Sequence, residues 1–176
     1  MPFGRARKLD NEAELYEYAV GALARRMRSV AELKRLLRRR VEPDELGDAL
    51  VELVIAKLKE QRYLNDTQYA ATYSSLRREN DKLGRRRVIS DLKSRGVHDD
   101  IIQKAVGGTY DGINEEQLAR DYLRRKRLQK PANDKQAARI FRAMVRAGFG
   151  TRTIFAILKK WNVDDEFLTA LETEEP

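Results

Sequence analysis

The sequence predicts an all-α protein, a tandem repeat of three-helix units forming an elongated array. Three observations carry this. Apolar residues recur at three- and four-residue spacing from Leu15 to Leu171, while alternation over strand lengths is hard to find. Capping residues, Gly or Pro interrupt that pattern often enough that about ten helices fit between the breaks. The breaks also repeat: RRRVEPDELGDAL, KSRGVHDDIIQKAV and VRAGFGTRTIFAIL superpose Val41 on Val97 and Phe149, Leu46 on Ile102 and Ile154, and Leu50 on Val106 and Leu158.

The elements follow in order. An N-terminal tail, residues 1–14, leads into the first unit, 15–63, whose opening helix ends near RRMRS. Ser29 with Glu32 has capping-box spacing and starts a second helix that turns Leu33, Leu36 and Leu37 inward. RRVEPD stops it, and a third helix buries Leu50, Leu53, Val54 and Leu58 up to QRYLND. In the second unit, 64–110, Asn65 with Gln68 opens a helix that turns Tyr69, Tyr73 and Leu76 inward. ENDKLG breaks it, and Val88, Ile89 and Leu92 hold the next helix until Gly96 ends it. His98, Asp99 and Asp100 start the following one, which stops in GGTYDGIN. The third unit, 111–161, opens at Asn114 with Gln117, placing Leu118 and Tyr122 inward. QKPAND separates that helix from one started by Asn133 with Gln136 and held by Phe141, Met144 and Val145. After RAGFGT the last helix buries Ile154, Ile157 and Leu158, with Trp161 read as core and an exposed interface anchor as the alternative. The acidic C-terminal segment, 162–176, begins at WNVDD. Its Glu172, Glu174 and Glu175 read as a solubilising end, or as a competitor for a basic face. A fifty-residue unit has a marginal core alone, so each is expected to pack on its neighbour.

Composition narrows the function. With 41% apolar and 36% charged residues the chain folds, and 36 Lys and Arg against 28 Asp and Glu give a net charge of +8 that attracts phosphates or acidic partners. There is no cysteine, hence no disulfide, no thiolate zinc site and no cysteine nucleophile. The single histidine, His98, stands where a helix begins, which suits neither a triad nor a metal site. Asp99 with Asp100, Glu115 with Glu116 and Asp164 with Asp165 each open a predicted helix, where acids offset the dipole. Adjacent helical residues do not share a face, so these pairs are not metal ligands. No phosphate-loop, HExxH or GxSxG motif occurs, and Gly107 and Gly108 follow no strand. The reading is a binding protein and not an enzyme, with no cofactor and no metal. No apolar core follows the opening charges and no uncharged run is long enough to span a bilayer, so a cytoplasmic monomer without membrane contact is expected.

The positive charge is organised. Lys135, Arg139, Arg142 and Arg146 fall within an arc of about 60° on one helix, away from Phe141. Arg120, Arg124 and Arg127 make a second row, and Lys130 follows in the loop. Arg86, Arg87 and Lys93 contribute from LGRRRVISDLKSRGV, where Arg85 falls on the apolar side and is expected to snorkel or pair with an acid. A secondary patch comprises Arg25, Arg26, Arg28, Lys34, Arg35 and Arg38. That Leu83–Asp100 stretch looks like the recognition helix of a DNA-binding helix-turn-helix, but the same turn recurs at Val41 and Phe149, so it reads as one helix of a repeat.

Several of these motifs resemble the RecX family, regulators of the RecA recombinase. The most specific is RYLNDTQYAATYSSLR, Arg62 to Arg77. GRRRVISDLKSRGV, LARDYLRRK, RAGFGTRTIFAIL and the first-unit residues Arg26, Ser29, Glu32 and Leu33 follow the family pattern in order. The chain departs from it at Arg62 and Arg40, where the family commonly has Gly, at Asn65 in place of an acid, and at Tyr73 in place of Trp. Arg40 implies that the first turn is made differently. The resemblance implies tandem three-helix repeats and a non-enzymatic inhibitor of RecA ATP hydrolysis and strand exchange, acting in recombination, DNA repair and the SOS response. It implies binding in the groove of the RecA–DNA filament, with the basic residues above meeting RecA, DNA or both. DNA alone, single- or double-stranded, would be bound weakly and without sequence preference. The competing readings are an autonomous, sequence-nonspecific DNA-binding protein and a helical scaffold for another acidic protein.

Overall fold

The computed structural model describes residues 7–174. Among the described residues the regular structure is entirely helical: α1 (Glu12–Arg25), α2 (Val30–Arg38), α3 (Glu45–Glu60), α4 (Asp66–Glu79), α5 (Arg85–Ser94), α6 (Asp99–Tyr110), α7 (Glu115–Arg125), α8 (Asp134–Arg146), α9 (Thr151–Lys160) and α10 (Asp165–Glu174). Every expected break separates two helices. In GGTYDGIN, however, Gly107 and Gly108 are helical and the break is Asp111–Asn114, because Val106, Thr109 and Tyr110 are buried and carry α6 on.

All four expected cap residues accept the backbone N–H three positions on: Ser29 from Glu32 at 3.1 Å, and Asn65, Asn114 and Asn133 from Gln68, Gln117 and Gln136 at 3.0 Å each. The reciprocal half of the box closes at Ser29, whose N–H donates to the Glu32 carboxylate at 3.1 Å. Gln117 turns instead to Asp121, and Gln136 accepts from the N–H of Ala132. Asn11, Asp44 and Asp164 cap α1, α3 and α10 in the same way.

The chain divides into two compact units, one holding residues 1–70 and 93–101, the other 71–92 and 102–176. In the first, α1, α2 and α3 pack pairwise around Leu15, Ala19, Leu33, Leu37, Val41, Val51, Val54, Ile55, Leu58 and Leu64. The Glu32 carboxylate knots this unit together, accepting from Arg95 at 2.7 Å and from the Tyr69 hydroxyl at 3.2 Å. Ser29, fully buried, also donates to the Arg95 carbonyl at 2.6 Å. Burial, reinforced by Glu32, pushes Tyr69 up to about 12.

In the second unit α7 and α8 pack on α9, and α10 lies against α8 and α9. Its buried residues include Val88, Leu92, Ile102, Val106, Leu118, Tyr122, Phe141, Met144, Phe149, Ile154, Ile157 and Leu158. Leu168 and Leu171 are buried too, so most of the acidic segment is a docked helix; Glu175 lies outside the described residues. The start of α5 meets the turn between α8 and α9 backbone to backbone, with the Gly84 N–H donating to the Ala147 carbonyl at 2.8 Å.

Two expected core leucines are exposed, Leu53 at 51% and Leu76 at 44%, and so is Leu46 at 78%, which the repeat superposes on buried Ile102 and Ile154. Leu46 is thrown out of phase by the first turn. Asp44 caps α3 three positions after Val41, whereas Gly150 caps α9 immediately after Phe149. Gly47 then faces inward, where a Cβ would stand 2.1 Å from the Glu42 carbonyl. Arg40 does not take the left-handed conformation that Gly96 (φ +74°) and Gly148 (φ +89°) adopt in the corresponding turns, so this first turn is indeed made differently. On α3 the inward row is Val51, Val54, Ile55 and Leu58, a complete i, i+3, i+4, i+7 set, and Leu53 lies about 160° round the helix from Val51. On α4 the buried residues are Tyr69, Ala70, Tyr73 and Ser74; Leu76 lies about 20° round the helix from Tyr69 but two residues past the last buried position. The remaining expected core positions are buried or half-buried.

Candidate functional site

The basic rows have different fates. On α8, burial of Ala137, Ala138, Ile140, Phe141 and Met144 turns Lys135, Arg139 and Arg146 to solvent, and none of the three has an ion pair among the described residues. Arg142 shares their arc but is half-buried and engaged within the protein. On α7, Arg120 is held by Glu116 at 2.6 Å, and Glu116 also takes Lys160 of α9 at 2.7 Å. These two cations, Lys160 first, hold the Glu116 carboxyl below the usual range. Arg124 pairs with Asp121 at 3.1 Å, while exposed Arg127 and Lys130 have no ion pair among the described residues.

Arg86 and Arg87 start α5. Arg87 pairs with Asp91 at 2.9 Å, and the terminal nitrogen of Arg86 lies 4.0 Å from where a Cβ on Gly150 would stand. Burial raises the Tyr122 hydroxyl, and the charges of Arg146 and Arg87 oppose the rise, while the backbone of Arg87 abuts Gly148, two residues after Arg146. The turn Ala147–Gly150 therefore gathers Arg86, Arg87 and Arg146 from helices distant in sequence. Lys93 belongs to the first unit, where it pairs with Asp99 at 3.1 Å. Arg85, at the edge of the apolar side, pairs with Asp111 at 3.5 Å.

Half of the secondary patch is neutralised by its own unit. Lys34 reaches Glu52 at 2.6 Å, Arg38 reaches Asp48 at 3.0 Å, Arg26 reaches Glu32 at 3.3 Å, and Arg28 donates to the Ala22 carbonyl. Arg25 and Arg35 alone stay exposed without an ion pair among the described residues.

Sequence reasoning passed over Lys160, which ties Glu116 to α9, and placed Trp161 in the core. The indole is half-buried and lines a cleft with Arg120, Arg124 and Arg127. No local sequence signal marks it, because the cleft forms only where the ends of α7 and α9 come together.

Among the described residues no cluster of His, Asp and Glu could hold a metal, and no helix is long and apolar enough to cross a membrane.

A family model for RecX, second three-helix domain, matches residues 65–106. Regulatory protein RecX of Mycolicibacterium vanbaalenii is 31% identical over 143 residues, 77% of this chain and 76% of that one. Regulatory protein RecX of Amycolatopsis mediterranei is 31% identical over 147 residues, 82% of this chain and 81% of that one. The relative from Bacillus pumilus is 29% identical over 82% of this chain, which spans 54% of its length. The crystal structure of RecX from Lactobacillus salivarius superposes with a TM-score of 0.65 at 19% identity, covering 86% of this chain and 96% of that one.

Proposed function

The chain belongs to the RecX family, and from this premise we propose that it is a non-enzymatic regulator of homologous recombination that binds the RecA–DNA filament, in its groove, and inhibits ATP hydrolysis and strand exchange. The observation that carries the reading is the α8 face. Lys135, Arg139 and Arg146 stand on one arc with no ion pair among the described residues, while three of the six cations of the secondary patch, Arg26, Lys34 and Arg38, turn to acids of their own unit. Like charges held together without relief repel one another, a cost that an opposing anionic surface removes. A filament of RecA on DNA offers phosphates and acidic side chains together. Arg86 and Arg87, gathered near Arg146, extend that contact within the second unit, and the α7 row adds to it. The repeat scheme 15–63, 64–110 and 111–161 is part of the reading; the family model match at 65–106 supports its middle unit.

The test is RecA-dependent ATP hydrolysis on single-stranded DNA, with strand exchange in parallel. The protein is expected to slow both well below one copy per RecA. Reversing Lys135, Arg139 and Arg146 to Glu is expected to abolish the effect while leaving helical content and Tm nearly intact, because exposed charges contribute little to stability. No inhibition by the unaltered protein at one copy per RecA refutes the proposal, and full inhibition by the triple variant refutes the role of α8. Tight duplex binding without RecA, paired with no inhibition, assigns the face to DNA alone.

A further inference from the structure

The C-terminal ends of α7 and α9 border a surface cleft of about 460 Å³, lined by Arg120, Arg124, Arg127, Leu123, Leu128 and Trp161. Its floor is apolar, since Leu123 is buried and Leu128 half-buried. Trp161 is fixed at the backbone: its N–H donates to the Leu158 carbonyl at 3.0 Å, and Asn162 follows at φ +62° with Val163 donating to the same carbonyl at 3.1 Å. The indole is thus held half-exposed where α9 ends. Arg127 stands in the left-handed region at φ +54°, between Lys126 donating to the Tyr122 carbonyl at 2.9 Å and Leu128 donating to the Leu123 carbonyl at 2.9 Å. Glycine takes that conformation freely at the ends of α5 and α8, while arginine holds it here, as Arg62 and Lys82 do after α3 and α4, at a conformational cost. Its guanidinium has no ion pair among the described residues, and Arg124 has only the exposed contact with Asp121.

Cations at helix C-termini also offset the negative ends of the helix dipoles. That role needs no indole beside them and no apolar floor. A flat ring on a tryptophan face, flanked by guanidinium groups that grip phosphate in two-pronged fashion, is the chemistry of a nucleotide whose base is unpaired. Duplex DNA keeps its base faces stacked and cannot offer one. An acidic peptide would engage the cations and leave the indole and leucines idle.

We propose that this cleft binds an unpaired base of single-stranded DNA, stacked on Trp161, with the neighbouring phosphates on Arg124 and Arg127. The proposal deepens the reading above, on which it rests for the presence of DNA, by naming what the α7 row meets.

Trp161 is the single tryptophan, so its emission reports the cleft alone. The full chain, without RecA, is titrated with an oligothymidylate of about twelve nucleotides, within the range of single-strand site sizes. An abasic phosphodiester of equal length, a duplex and polyglutamate are run beside it, with affinity read from labelled oligomers. Oligothymidylate is expected to quench the emission, and the other three are not. Trp161→Leu should weaken oligothymidylate binding by roughly 5- to 150-fold, the range of base-on-aromatic stacking, and leave the abasic oligomer unchanged, while Trp161→Phe retains most of the affinity. Equal quenching by the abasic oligomer, duplex or polyglutamate overturns the proposal, as does unchanged oligothymidylate binding by Trp161→Leu. The RecA assay decides the other reading separately. Inhibition of RecA with no quenching refutes the cleft alone, and quenching with no inhibition refutes the regulator alone.

Discussion

Gly148→Ala tests whether the turn that gathers Arg86, Arg87 and Arg146 is fixed by backbone contact. At φ +89° any side chain is strained, and a Cβ there would lie 2.2 Å from the Arg87 nitrogen, 2.5 Å from its Cβ and 2.9 Å from its Cα. None of these is the free end of a flexible side chain, so α5 and the turn must separate. The left-handed conformation costs about 1 kcal/mol for alanine, and overfilling a close-packed contact adds about 1–3 kcal/mol. The sum is about 2–4 kcal/mol, with Tm lowered roughly 2–4 °C for each kcal/mol in a chain of this size. Gly112→Ala is the control: φ is +77°, but nothing lies within 4 Å of the added Cβ, so only the conformational cost of about 1 kcal/mol applies. Urea unfolding at neutral pH, followed by far-UV circular dichroism, measures both. If Gly148→Ala is no more destabilising than Gly112→Ala, the backbone contact does not hold α5 against the turn, and the convergence of the three arginines loses its structural basis.

Other perturbations follow from individual contacts. Leu92, fully buried, should cost about 2–5 kcal/mol on substitution by Ala, whereas Leu53→Ala, at a side chain 51% exposed, should stay within about 0.5 kcal/mol in the same urea assay. Ser29→Ala removes both the Glu32 cap and the buried bond to the Arg95 carbonyl, so it should destabilise more than Asn133→Ala, a cap alone worth about 1 kcal/mol; equal losses would show that the Arg95 bond contributes nothing. Glu116 has its carboxyl lowered in the folded state by Lys160 and Arg120, so the unfolded chain binds its proton first as pH falls. Its stabilisation is therefore present above the ordinary glutamate range and lost as pH drops through the lowered value. Glu116→Gln should flatten stability against pH on the acid side, and an unchanged acid limb in paired urea melts at successive pH values would refute the tether between α7 and α9.

Much of the fold is legible because local signals agree with one another. The caps at Ser29, Asn65, Asn114 and Asn133 accept the predicted bonds, and Gly96 and Gly148 end α5 and α8 in the left-handed conformation such turns demand. The misreadings arise where apolar residues exceed one face. On α3, Leu50, Val51, Leu53, Val54, Ile55 and Leu58 offer two overlapping helical rows, and only packing against α1 and α2 selects the row through Val51. Leu46 fails for another reason: the turn carrying Glu42, Pro43 and Asp44 is longer than its counterpart at Gly150, and an ungapped superposition cannot show it.

Charge is harder to read than hydrophobicity, because the acid that silences a cation comes from another helix. Lys34 and Arg38 look as available in sequence as Lys135 and Arg139, with a comparable spacing along one helix. Glu52 and Asp48, across on α3, decide otherwise. The same blindness hides Glu116, whose contact with Arg120 is visible at four-residue spacing while its bond to Lys160, 44 positions away, is not. Sequence therefore counts the cations but does not say which stay unneutralised, and that residue of free charge is what a polyanion would meet. The α8 face retains it because α8 directs its whole apolar side at the core and places no acid beyond Asp134 on the opposite one. A helix with such a division folds on its apolar side without an acidic neighbour, so the repulsion among Lys135, Arg139 and Arg146 stays unrelieved until an anionic surface arrives.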